Sequence, residues 1–425
     1  MKWKVISIEL SQPLTELPAY AGYTGVHVVF FQNGVPLGQC RLAAEQLPAS
    51  PQHLANHAAK AIALAAGDYL FDQGFRSALP GLPEPRLESP SRTLASLIEL
   101  TNPLPELARN LPVHAAFPLT VSIAVCTRER PRELARCLAS LAEVSQHALE
   151  VLVIDNAPQS ARTRELVRGF PDVQYICEPR RGLSAARNTA LALASGDIVA
   201  FVDDDAVVHP HWLLRIRECF AEPKVMVATG LVLPAELETP AQHIFEQSFH
   251  FFHQGYRRRR FDAAYFSALR NKGVPVWEIG AGANMAIRRQ AFELGHRFDT
   301  RLGPGVFGGC GEDSEFWYGV LAAGWTIVYQ PSACVFHYHR RELAELRSLI
   351  HQYMQGHVAA LLLQFAKYRD IGNLRRLLLR MPAEYALLVL RLIVSGFSID
   401  HRILLRGAFG CLAGLRFAFR RPVRA

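Results

Sequence analysis

Residues 198–205 read Ile198-Val199-Ala200-Phe201-Val202-Asp203-Asp204-Asp205. An apolar run of this length suits a strand buried on both faces, as in the middle of a parallel sheet. The polar end of such a strand lies at the carboxyl edge, where open α/β sheets bind ligands. Three adjacent carboxylates repel one another unless a cation offsets them. The stretch therefore points to a divalent metal, and the metal to a phosphate-bearing substrate.

The flanking sequence supports that reading. Strand patterns over 121–126, 151–155 and 173–177 alternate with helical patterns over 130–143, 160–169 and 183–195. This spacing predicts right-handed βαβ units and an α/β fold. Each predicted strand ends on polar residues: Thr127-Arg128, Asp155-Asn156, Glu178-Pro179-Arg180 and the aspartate triplet. These ends are expected to line one crevice. The turn Cys126-Thr127-Arg128-Glu129-Arg130-Pro131 has no glycine. That excludes both a Gly-x-Gly-x-x-Gly dinucleotide turn and a P-loop.

The 425 residues are enough for two or three domains. Residues 1–75 read as a small α+β unit, with strands over 4–10, 26–32 and 37–42, a turn at Asn33-Gly34 and a helix over 53–71. A proline-rich stretch over 76–118 reads as a linker. Residues 119–345 read as the catalytic domain and 346–425 as a basic helical region. The 220–276 stretch is less regular, and its run Arg257–Arg260 reads as a solvated loop. The eight cysteines are scattered singly with no Cys-x-x-Cys pair, which predicts reduced thiols, no zinc site and a cytoplasmic setting. The sequence starts without a signal-peptide pattern and has no apolar run of spanning length, so no membrane-crossing helix is expected.

Further signals follow the triplet: Gly280-Ala281-Gly282-Ala283-Asn284, then Gly311-Glu312-Asp313, then His337-Tyr338-His339-Arg340. Together with 121–130, 153–156, Gly182-Leu183-Ser184-Ala185-Ala186-Arg187-Asn188 and 196–205, this ordered set resembles the family 2 nucleotide-sugar glycosyltransferases, in a form like that of a bacterial subgroup. That family has the GT-A fold, a Rossmann-like mixed sheet with helices on both faces. The resemblance covers 119–345 and implies roles. Thr127, Arg128, Asp155, Arg187, Asp203, Asp204, Gly282 and Asn284 would bind the nucleotide-sugar donor, with Asp155 on the base and Asp204, the middle acid, turned away. Asp203, Asp205 and His337 would hold Mg²⁺ or Mn²⁺. Asp313 would be the general base, with Glu312 beside it. The donor would be a UDP-, GDP- or dTDP-sugar and the acceptor a glycan or lipid-linked hydroxyl. One base opposite the leaving group implies inversion. His339 and Arg340 read as surface residues or lipid-phosphate contacts. A nucleotidyltransferase-like enzyme would want a glycine-rich loop after the first strand. An inactive glycan-binding scaffold would have lost the acids that remain here.

The net charge of +8 is concentrated in the tail: residues 374–425 hold ten arginines against Glu384 and Asp400. On a helical projection Arg402, Arg406, Arg416 and Arg420 fall on one arc, and Leu405, Phe409 and Leu412 fall elsewhere. Gly407, Gly410 and Gly414 are expected to weaken or kink that helix. An anionic partner is implied. No nucleic-acid motif accompanies the arginines, so the expectation is a peripheral contact with the inner membrane face through 374–425, and no nucleic acid.

Overall fold

The computed structural model describes residues 2–72, 119–248, 254–395 and 401–417. The proline-rich 76–118 stretch, Phe419 and Arg420 lie outside the described residues, as do the side chains of Arg391 and Arg402. The described residues fall into two compact units.

The first unit comprises 2–72 with Glu236–Glu238 and Gly255–Arg257. Strands β1 (Trp3–Glu9), β2 (Gly25–Gln32) and β3 (Val35–Ala43) form one sheet in that order. β1 runs parallel to β2, and β2 pairs antiparallel with β3. Asn33 (φ 50°) and Gly34 (φ 72°) make the hairpin turn, the left-handed pair that matches strand twist. Every residue of β2 is buried. The helix Pro51–Asp72 covers the sheet, packing Leu54 and Ala58 against Val26, Val28, Phe30 and Leu42. Gly38 permits this: a Cβ there would lie 2.3 Å from the Ala61 carbonyl oxygen.

The second unit is built on a nine-stranded mixed sheet. Its first half is the predicted parallel set: β4 (Val121–Thr127), β5 (Glu150–Asn156), β6 (Val173–Glu178) and β7 (Ile198–Asp203). The helices Pro131–Leu141, Arg162–Val167 and Leu183–Leu193 alternate with them. Then come β8 (Ala206–Val208), β9 (Val225–Pro234), β10 (Arg259–Phe261), β11 (Asn284–Arg288) and β12 (Thr326–His337). The order is β10-β12-β9-β11-β7-β4-β5-β6, with β8 on β12. β11 runs antiparallel between β7 and β9, which makes the sheet mixed.

Two sequence readings change here. The stretch read as irregular contains β9, a central strand with all ten residues buried. Part of the arginine run is not a solvated loop but an edge strand, β10, whose Arg260 pairs with Glu222 at 2.5 Å. Gly230 in β9 is a point of close approach, where a Cβ would lie 1.9 Å from the Ala333 carbonyl oxygen.

The C-terminal helices belong to this second unit. The helix Leu343–Tyr368 packs beside the helix Glu312–Ala322 and carries the helix His401–Phe417 along its length. The glycines do not break that last helix; they seat it. A Cβ would lie 2.5 Å from the Tyr385 hydroxyl at Gly407, 2.4 Å from the His351 carbonyl oxygen at Gly410 and 2.6 Å from the Gln355 carbonyl oxygen at Gly414. No helix among the described residues is long and apolar enough to cross a membrane.

Candidate functional site

Strand register brings the predicted site residues together. Cys126 on β4 sits opposite Asp203 on β7, and Thr127 opposite Asp155 on β5. The carboxyl ends of these strands form one edge, and β12 delivers His337 by pairing with Ala206 on β8. Ligand atoms of Asp203, Asp205 and His337 lie within 4.8 Å of one another. His337 Nε2 is 3.0 Å from Asp205 Oδ1. Two carboxylates and an imidazole nitrogen are a donor set that Mn²⁺ or Mg²⁺ accepts.

The repulsion within the triplet is met in part by the chain's own cations. Arg130 reaches Asp204 Oδ1 at 2.5 Å and Asp205 Oδ2 at 2.6 Å. Burial tends to raise the Asp205 pKa, but His337 and Arg130 outweigh it and hold the carboxyl far below the usual range. Asp203 moves the other way, raised by desolvation. Asp204 does not turn away into solvent. It is 4% exposed, accepts a 2.7 Å hydrogen bond from the Thr127 hydroxyl and is pushed up to about 7, mainly by burial. The Thr127 hydroxyl and Asp204 thus serve each other.

Asp155 is fully buried at the end of β5. Its Oδ2 accepts from the Tyr175 hydroxyl at 2.9 Å, and its Oδ1 has no hydrogen-bond partner among the described residues. An orphaned buried acceptor is costly unless a ligand donates to it. Burial accordingly raises its pKa. Arg128, half-buried just past the end of the neighbouring strand β4, leaves Nε without a partner among the described residues. Asn156 shapes the next loop: it donates to the Arg180 carbonyl at 2.7 Å and accepts from the Gly182 amide at 2.8 Å. Gly182 (φ 125°) then opens the helix that carries Arg187.

Arg187 is 2% exposed and joins the parts of the site. It donates to Glu312 Oε1 at 2.8 Å and to the Gly282 carbonyl at 3.1 Å, and it lies 3.7 Å from Asp203 Oδ1. The Gly282 amide in turn donates to Asp313 Oδ2 at 3.1 Å, and the Ser314 amide donates to Asp313 Oδ1 at 2.7 Å. Asp313 therefore sits in the first turn of the helix Glu312–Ala322, held by backbone donors. Burial first, then the neighbouring Glu312 charge, pushes its pKa up to about 6, a value suited to a base at neutral pH. Glu312 is taken up by Arg187 and the Gly311 amide.

The profile of glycosyl transferase family 2 matches residues 122–295. The chain carries a family 2 glycosyltransferase domain. The succinoglycan biosynthesis protein ExoM of Rhizobium meliloti is 33% identical to it over 231 residues, spanning 51% of this chain and 66% of that protein. A pre-mycofactocin glycosyltransferase of Mycobacterium tuberculosis is 26% identical over 234 residues, spanning 53% of this chain and 44% of its own length. The chain thus matches only part of each relative. Among solved structures, a mannosyltransferase from Pyrobaculum calidifontis in complex with GDP-Man and Mn²⁺ aligns with a TM-score of 0.46 at 16% identity, over 73% of this chain and 90% of that one.

Within the glycosyltransferase domain, Asn284 does not join the others. It is fully buried, accepting from the Trp212 indole at 2.8 Å and donating to the Leu231 and Ala333 carbonyls at 3.0 and 2.8 Å. Its amide is committed inside the sheet. His339 also departs from expectation, lying 5% exposed behind His337 while Arg340 stays on the surface. Sequence reasoning missed Arg130 and Tyr175 as site residues. Arg130 stands in the turn already quoted, but its two carboxylate partners lie 74 and 75 positions away.

Proposed function

We propose that the chain is a metal-dependent, inverting glycosyltransferase that moves a sugar from a nucleotide-diphosphate donor to a hydroxyl of a growing or lipid-linked surface glycan. The observation that carries this reading is Arg187, which ties the Asp203 side of the metal-ligand cluster to the loop that positions Asp313. Similarity to a succinoglycan biosynthesis protein supports a polysaccharide acceptor.

In this reading Asp155 Oδ1 accepts from an N–H of the base, and Arg128 meets donor oxygens. Asp203, Asp205 and His337 would hold Mn²⁺ or Mg²⁺, which when bound would supply Lewis-acid stabilisation of the departing diphosphate. Asp313 takes the proton of the acceptor hydroxyl as its oxygen bonds to the anomeric carbon. The bond from that carbon to the diphosphate oxygen breaks on the opposite face, and the nucleoside diphosphate leaves. Asp204, itself held by the Thr127 hydroxyl, fixes Arg130, and Glu312 fixes Arg187. The test is hydrolysis and transfer of UDP-, GDP- and dTDP-sugars with Mn²⁺ by wild type, Asp205→Ala and Asp313→Asn. Turnover by the wild type that both substitutions abolish supports the reading. Variants that match the wild type sink it.

A membrane setting is favoured by the outer face of the C-terminal helices. Leu405, Phe409 and Leu412 are 54%, 57% and 55% exposed, on the side opposite Gly407, Gly410 and Gly414. Exposed Arg406 and Arg416 accompany them. The leucines and arginines share this outward face instead of dividing between two faces as the projection suggested, and such a face suits the headgroup layer of an anionic bilayer. Free cysteines, several of them buried, suit the reducing cytoplasmic side. The wild type is expected to sediment with vesicles of phosphatidylglycerol and phosphatidylcholine. The triple variant Leu405→Ser/Phe409→Ser/Leu412→Ser is expected to stay in solution. Equal sedimentation rules the membrane setting out.

A further inference from the structure

We infer that His339 and Glu246 are positioning residues that fix the tautomer of His337, turning its Nε2 lone pair toward Asp203 and Asp205. The inference rests on the metal reading of that cluster. β12 ends at His337, and the chain turns so that His339 lies directly behind it. Their Nδ1 atoms are 3.2 Å apart, so one donates a proton and the other accepts it. His337 Nε2 faces the cluster, 3.0 Å from Asp205 Oδ1. A metal needs a bare lone pair at that nitrogen, so the ring proton must sit on Nδ1. That requires His339 Nδ1 to be the acceptor, with its own proton on Nε2.

The surroundings of His339 favour that state. Its Nε2 lies 3.4 Å from Glu246 Oε2, a long contact to a carboxylate that can only accept. The helix Pro240–Ser248 brings Glu246 there. The same helix clamps His339 twice: Phe245 packs on the ring at 4.6 Å between centroids, and the Gln242 amide donates to the His339 carbonyl at 3.3 Å. The order is carboxylate, imidazole, imidazole, metal site. Outer partners of this kind change metal affinity by about 10- to 100-fold.

The test is Mn²⁺ titration of the full chain, followed by the electron paramagnetic resonance signal of free Mn²⁺. His339→Phe keeps a ring against Phe245 but removes the acceptor. Its affinity is expected to fall by about 10- to 100-fold with the thermal midpoint nearly unchanged. His339→Asn loses the ring but keeps a polar atom near the Nδ1 position, and is expected to stay within a few-fold of wild type. Glu246→Leu is expected to weaken binding in the same direction as His339→Phe. The reverse order, with phenylalanine tolerated and asparagine damaging, shows that His339 serves only packing and overturns the inference. So does unchanged affinity in all three variants. A wild type that fails to bind Mn²⁺ overturns the metal reading itself, and the inference with it.

Discussion

Arg187 and Glu312 meet at 2.8 Å across 125 positions of sequence, both almost wholly buried. Removing one partner of such a pair strands the other charge, at a cost of about 3–5 kcal/mol. Arg187→Ala is therefore expected to lower unfolding free energy by that order in urea titration. A loss well under 1 kcal/mol would mean that the pair contributes little to holding the fold.

To act as the proposed base Asp313 must be ionised, and its pKa is raised to about 6. The value of kcat/KM is expected to rise about tenfold per pH unit below that point and to level off above it. Asp313→Asn is expected to remove that limb and to cost about 10²- to 10⁴-fold in rate. Linkage gives a second readout. The folded chain holds this proton more tightly than the unfolded one, whose value is about 3.9. That contribution to stability is complete below the unfolded value and is lost as pH rises through about 6. Wild type should thus lose stability relative to Asp313→Asn between pH 4 and pH 7.

Chelation should silence the enzyme. Treatment with EDTA is expected to abolish transfer, and excess Mn²⁺ or Mg²⁺ to restore it, with a dose response that Asp205→Ala lacks. Full activity in EDTA would remove the Asp203, Asp205 and His337 cluster from the mechanism.

Gly282 lies between two working side chains. A Cβ there would come within 2.8 Å of Arg187 Nη2 and 3.1 Å of Asp313 Oδ2. Gly282→Ala is expected to displace one or both, lowering kcat by at least about tenfold while the fold survives, since this crowding falls on the ends of movable side chains. Circular dichroism and kinetics on the same preparation check this.

Asn284→Ala leaves the Trp212 indole N–H and two sheet carbonyls without their partner. Each stranded buried group costs about 1–3 kcal/mol. A loss of roughly 3 kcal/mol in chemical unfolding is expected. Near-wild-type stability with weakened donor affinity would return Asn284 to the binding site.

The parallel half of the sheet was legible because buried strands with polar ends leave a plain signature, as at 198–205. β9 was not: its Val225–Pro234 run holds a glycine and a proline, and only the backbone of Ala333 explains why Gly230 belongs there. The acids of the site could be picked out one by one. What each of them faces could not, because Arg130, Tyr175 and Arg187 find their partners across the sheet edge and not along the chain. Asn284 was read as a binding group and His339 as a surface residue, and in both cases the packing around the side chain could not be seen from the sequence.

The three glycines under the helix His401–Phe417 hold it by closeness of backbone, with no side chain of their own as a grip. Attachment and outward chemistry are thereby uncoupled. Substitutions on the outer side can retune what this helix touches, from lipid to protein to water, without disturbing its seat. The same fold can be redirected to a new surface by changing residues that the catalytic domain does not feel.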